Sequence, residues 1–265
     1  MNKMKIKDNI DKIIYETYNL ISKVRYIFKF QEKSLIKENI KFKDIHKNDR
    51  CFILGTGPSL KELNPDLIKN EITFGVNYLV NGDIINAITP TYYGLFDNKF
   101  SNENIQITKS IINKLPNTEF FMSTGSYKAM KEVGIEHSKI NYLYANIYPA
   151  GRINKIELTN NMRVTYNVVP ACIQIALYMG FKEIYLLGTD FNSFATQKPE
   201  HYYEDGFIQK RQRSLGEELK EYAIVCNVHY YLDKYAKSKG VKIINLTPNS
   251  LLDAYEKKQI KDIIN

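Results

Sequence analysis

From Cys51 onward, short apolar segments of strand length alternate with longer stretches of helical periodicity, and few architectures accept that alternation. The strand candidates are Cys51–Leu54, Ile72–Val76, Tyr92–Phe96, Glu119–Met122, Ile140–Tyr144, Ile184–Leu187 and Val241–Leu246. Helices are expected at 59–69, 102–114, 167–179, 211–239 and 249–257. The pattern predicts an α/β chain, Rossmann-like, with a mostly parallel sheet flanked by helices. Ile184–Leu187 follows a helix and a capping Gly180, as a central strand would. Ser193–Lys210 has no sustained period and reads as a long loop over an active site.

The 265 residues, 44% hydrophobic, are enough for one core, assigned to 51–265, with a basic helical appendage at 1–50. From Ile10 to Phe28, Ile10, Ile13, Ile14, Ile21, Val24 and Phe28 recur at helical spacing, and Tyr15, Tyr18 and Tyr26 are expected to widen that stripe. Residues 29–49 are expected to be a connector. The net charge is +8, but residues 1–50 hold 13 Lys and Arg against 7 Asp and Glu. The remainder is therefore nearly neutral, which speaks against a nucleic-acid partner. Residues 1–40 suit packing on their own domain, a homo-oligomer contact, or an anionic membrane surface. No apolar run is long enough to span a bilayer and no signal peptide is evident, so a cytoplasmic protein is expected, peripheral on the inner membrane under the last reading. Cys51, Cys172 and Cys226 lack metal-ligand or disulfide spacing and are expected as small apolar residues, with no metal site.

The segment with most chemistry runs Gly55-Thr56-Gly57-Pro58-Ser59 straight out of an apolar strand toward an expected helix. Two glycines there would let the backbone approach a phosphate, with the helix N-terminus facing the anion. It is neither a Walker loop nor a complete dinucleotide fingerprint; a plain tight turn is the bland alternative. Asn77 follows the second strand and Asp97-Asn98 the third, at the edge where such sheets bind ligands, although turn or cap roles would also suit them. Gly188-Thr189-Asp190-Phe191-Asn192 ends another strand, with His201-Tyr202-Tyr203-Glu204-Asp205 beyond it. A carboxylate, imidazole and phenols together could deprotonate an acceptor hydroxyl and protonate a leaving phosphate. His46, His137 and His229 sit beside no such motif and are expected at the surface or in packing.

Three blocks keep their order across 51–255: the Gly55–Glu62 segment, Arg163-Val164-Thr165 with Gly180–Phe191, and Pro248–Leu252. Together they resemble the bacterial sialyltransferases of glycosyltransferase family 42. The resemblance implies a GT-A-like variant fold, a CMP-activated acidic sugar donor, a glycan or glycolipid acceptor, and no cofactor. It also implies that the Gly55–Ser59 loop, Asn77 and the Gly188–Asn192 turn line the CMP site, with Arg163 and Thr165 near the donor sugar or phosphate. The chain departs from that family with Asp97 for an asparagine, Asn192 for a tyrosine, and Asp205 where the catalytic histidine falls. His201 or Asp205 could then be the base, and Tyr202 or Tyr203 the phenol. The Gly-x-Gly-Pro-Ser and Gly-x-Asp-Phe signatures also resemble the broader MptE-like group, known as domain of unknown function 115. That likeness implies, as an alternative, a magnesium-dependent pyrophosphokinase or other nucleotide enzyme, which Asp97 and Asp190 would suit; because fold does not fix function, a noncatalytic nucleotide-binding or interaction protein is a second alternative.

Overall fold

In a computed structural model the described residues are 3–97, 100, 104–135, 138, 140–148, 153–163, 166–195, 201–203 and 214–264, with side chains from Ile6 onward. The chain begins with helices α1 (Lys3–Ile27) and α2 (Phe30–Lys37) and a 3-10 turn at Glu38–Phe42. Strands β1 (Arg50–Leu54), β2 (Ile72–Val76), β3 (Tyr92–Leu95), β4 (Glu119–Ser123) and β5 (Ile140–Leu143) follow, interleaved with helices α3 (Ile84–Ala87), α4 (Ile105–Lys114) and α5 (Tyr127–Glu132). Strands β6 (Ala145–Ile147) and β7 (Met162–Arg163) make a small separate sheet. Helix α6 (Val168–Met179), β8 (Glu183–Leu187), α7 (Leu215–Ser238), β9 (Lys242–Asn245) and β10 (Glu256–Lys257) complete the described elements.

The main sheet is parallel throughout and ordered β10-β9-β8-β1-β2-β3-β4-β5. Both faces are covered, so the central strands β1 and β8 read as nearly continuous apolar runs. Along β1, Cys51 and Ile53 enter one core while Phe52 and Leu54 enter the other. Nearly all of α6 is buried; Asn167 caps its start by accepting from the Val169 N–H, and Gly180 ends it at φ +92°. At the β5 edge, Asn39 donates to the Tyr142 and Leu158 carbonyls at 2.7 and 3.0 Å, covering backbone groups an open edge would expose. Ile36, Asn39 and Phe42 are buried there, so the expected connector at 29–49 is instead helix and turn packed on the sheet.

Two expected helices are absent. Over 59–69 there are only the 3-10 turns Pro58–Glu62 and Pro65–Leu67, because Pro65 cannot donate to a helix and Asn64 accepts from the Asp66 N–H, starting a new turn. Over 249–257, Asn249 adopts φ +54° and Ser250 bonds into neighbouring loops, leaving only β10. Nor do the tyrosines of α1 widen its isoleucine stripe. Tyr15 and Tyr18 meet Tyr148, Tyr26 stacks on Tyr144, and the isoleucines face away.

Candidate functional site

In open parallel sheets ligands bind beyond the carboxyl ends of the strands, where the order reverses. Here β2 lies on one side of β1 and β8 returns on the other, so the reversal falls between the Gly55–Ser59 loop and the Gly188–Asn192 turn. Strained backbone gathers along this edge: Asn77, Phe191 and Asn249 have φ of +48°, +55° and +54°. Left-handed geometry at a bulky residue such as Phe191 costs about 1–2 kcal/mol and persists only where surroundings impose it.

The surroundings are explicit. Gly55 N–H donates to the Leu187 carbonyl and Gly57 N–H to the Gly188 carbonyl, both at 2.8 Å. Asp190, 8% exposed, accepts from Ser59 N–H at 3.2 Å and from Ser59 Oγ at 2.7 Å. A Cβ on Gly57 would stand 1.9 Å from Asp190 Oδ2, and one on Gly55 would stand 2.3 Å from the Gly188 carbonyl oxygen. The glycines are therefore required by the approach of the two loops. The amides of Gly55, Gly57 and Ser59 already have protein acceptors, and a five-residue turn replaces the helix whose dipole was expected to face a phosphate. The Pro248–Leu252 block has a matching role. Ser250 Oγ donates to the Thr189 carbonyl at 2.6 Å, Leu251 N–H to the Asp190 carbonyl at 3.0 Å, and Thr247 Oγ1 accepts from Thr189 N–H at 3.0 Å.

Asn77 starts the turn after β2, and its Oδ1 is buried without a hydrogen-bond partner. Such an orphan acceptor costs about 1–3 kcal/mol unless a ligand supplies a donor. Tyr93 fixes the turn: its hydroxyl donates to the Asn77 carbonyl at 2.9 Å and accepts from Val80 N–H at 3.0 Å.

The His201–Tyr203 segment is pinned over the same edge. Tyr202 N–H donates to the Thr56 carbonyl at 2.8 Å, and its hydroxyl accepts from Ile84 N–H at 2.8 Å. Its ring fills the place of a side chain at Gly82, where a Cβ would come within 2.0 Å, and burial raises its pKa. Tyr202 is thus a clamp in this geometry. His201 stacks on Tyr203 with centroids 5.1 Å apart, and Tyr203 in turn meets Tyr78, the residue that follows Asn77, at 6.0 Å, so the Tyr203 ring lies between the imidazole and the β2 turn.

Arg163 lies elsewhere, in β7, with Nη1 donating to the Tyr148 carbonyl at 3.2 Å. It lines a cleft of about 380 Å³ shared with Lys23, Lys155 and Gln174. Asp97 lies two residues beyond β3, and its carbonyl accepts from Phe100 N–H at 2.9 Å. Asn98, Thr165, Glu204, Asp205 and His137 lie outside the described residues. Of the other histidines, His46 stacks on Phe181 and bonds Tyr92, while His229 is buried against Tyr255 with its pKa pushed down to about 3 by burial. Cys51 and Cys172 are buried and Cys226 is half-buried.

One phenol escaped the sequence reading. Tyr222 of α7 reaches the hydroxyl of Ser193, next to Asn192, and packs against Phe191 and Phe194; burial raises its pKa. The available signal was its helical spacing from the buried Val225 and His229. Among the described residues no three His, Cys, Asp or Glu side chains gather as a metal site. Each Asp190 oxygen accepts one hydrogen bond from Ser59, which ties this carboxylate to the Gly55–Ser59 loop.

The fold recurs in solved structures. The sialyltransferase CstII from Campylobacter jejuni, determined with cytidine-5'-monophosphate, is 17% identical with a TM-score of 0.51, over 83% of this chain and 88% of that one. The MAf glycosyltransferase from Magnetospirillum magneticum AMB-1 is 13% identical with a TM-score of 0.53, and the match covers 87% of this chain but 38% of that one. At these identities the likeness is one of fold. Comparison with curated proteins found no match in sequence. The pattern described as "6-hydroxymethylpterin diphosphokinase MptE-like" matches residues 18–194, about two thirds of the chain and starting inside α1, and on that match the chain belongs to the MptE-like family.

Proposed function

We propose that the protein is a glycosyltransferase that moves an acidic sugar, sialic acid or a related nonulosonate, from a CMP-activated donor to a surface glycan or lipid-linked acceptor. The observation that carries this reading is the orphaned Asn77 Oδ1, at the carboxyl edge of β2 and joined through Tyr78 and Tyr203 to His201. An amide acceptor seeking a donor suits a nucleoside's base amine or ribose hydroxyl. Thr56, Thr189 and the loops around them would complete the nucleotide site, with Asp190 holding those loops together. In the reaction the acceptor hydroxyl oxygen bonds to the anomeric carbon as the bond to CMP breaks. His201 takes the hydroxyl proton, with Asp205 as the other candidate, and a phenol, Tyr222 or Tyr203, donates to the departing phosphate. Arg163, with Thr165, is kept for an acidic group of donor or acceptor. The catalytic unit is assigned to 51–265. A place in the cytoplasm, peripheral on the inner membrane through residues 1–40, accords with a lipid-linked acceptor.

The family description favours a second reading, a magnesium-dependent pyrophosphokinase. Thermal unfolding with CMP, CDP, UDP, GDP and ATP, each with and without magnesium, separates the two. Transfer chemistry predicts a rise in Tm with CMP that magnesium does not change, since a ligand stabilises the fold it binds. A rise only with ATP and magnesium selects the kinase, and none with any nucleotide leaves a noncatalytic role. His201→Ala should lower transfer about 100-fold or more while CMP still raises Tm. Unchanged transfer in that variant with loss in Asp205→Asn moves the base to Asp205.

A further inference from the structure

Helix α1 docks on the body by the face that an amphipathic helix ordinarily turns to water. Asp11, Tyr15, Asn19, Ser22 and Tyr26 are its partly or fully buried positions. Asn19 exchanges two hydrogen bonds with the Tyr148 backbone, at 2.7 and 3.1 Å, and Ser22 Oγ donates to the Asn146 carbonyl at 2.6 Å. The opposite side, at 100° per residue, is an arc of roughly 140° holding Ile6, Ile10, Ile13, Ile14, Leu20, Ile21, Val24 and Ile27. All are exposed, Ile13 and Leu20 at 64% each. Phe28 and Phe30 extend the apolar surface at its end, 69% and 72% exposed. Lys7 and Arg25 fall on one margin of the arc, and Lys12 and Lys23, with Glu16, on the other.

We propose that α1 is an interfacial helix that lays this isoleucine-rich arc into an anionic lipid surface while its tyrosine face stays bound to the body. Its apolar arc and basic margins match what such helices need: aliphatic side chains at the acyl boundary and lysines reaching headgroup phosphates. Charge decides against a second copy. Pairing two arcs would set one basic margin against another, whereas an anionic surface complements both. The proposal deepens the peripheral-membrane part of the function above and does not depend on which reaction the sheet edge performs.

Sedimentation with phosphatidylcholine vesicles, with and without phosphatidylglycerol, tests it on the full chain. Expected is binding that needs the anionic lipid and that Ile13→Glu with Leu20→Glu reduces about tenfold or more. Both positions are exposed, so the circular-dichroism melt and the Tm shift with nucleotide should be unchanged; those controls keep failure of docking apart from failure of the nucleotide site. Lys12→Glu with Arg25→Glu should weaken binding to anionic vesicles. Equal binding to neutral vesicles, or wild-type binding by both double variants, overturns the proposal. So does a wild-type dimer in light scattering that Ile13→Glu with Leu20→Glu turns into a monomer, with no vesicle binding by either.

Discussion

A single contact shows how the glycine motif works. Gly57 lies against Asp190 and Gly188, and the Asp190 carboxylate bonds Ser59 beyond it, so the motif joins two strand ends before any ligand arrives. Hydrogen bonds to a charged group contribute about 1.5–3 kcal/mol each. Gly57→Val is expected to destabilise the fold by about 3 kcal/mol or more, since a side chain there would displace Asp190. Urea unfolding of the variant checks this; a midpoint within error of wild type would show that the loops can separate without loss.

Among the elements, strands were the most legible. Cys51–Leu54 and Ile184–Leu187 read correctly because strands buried on both faces are apolar at every position, and Ile72–Val76 read correctly although it carries the buried Thr73. The failures at 59–69 and 249–257 arose where apolar spacing suggested a helix but one proline or one left-handed asparagine redirected the backbone. The face by which α1 docks was unreadable, because it is polar and aromatic and its partner, β6, lies more than a hundred residues away. At the site, the sequence located the strand ends, and helical spacing put Tyr222 on the buried face of α7, but its contact with Ser193 and that of Tyr93 with the Asn77 carbonyl exist only in the folded chain. Helix α7 carries its own prediction. His229 is held neutral, with a folded pKa of about 3 against about 6.5 when unfolded. Between those values the unfolded chain binds a proton that the folded one refuses, so this contribution is complete above pH 6.5 and lost as pH falls, at up to about 1.4 kcal/mol per unit. His229→Gln should flatten the fall in stability between pH 6.5 and 5, followed by denaturant melts; equal slopes would mean that the imidazole is protonated in place.

The whole molecule is a sheet whose middle is closed by its far end: β1 pairs on one side with β2 and on the other with β8. The loops that meet there are 131 residues apart, measured from Ser59 to Asp190. Nothing nearer in the chain can cover that side of β1, whose Cys51–Leu54 are all buried in the finished fold. A fragment ending at Gly180 should therefore aggregate through its open strand edge, and supplying residues 181–265 in trans should restore solubility. A soluble monomeric fragment in size-exclusion chromatography would contradict this. At about 5–20 residues per second, roughly 7 to 26 s of synthesis separate the two loops. The ribosome therefore delivers the two halves of this edge far apart in time, and a nascent chain passes that interval with its central strand half-paired and in need of shelter.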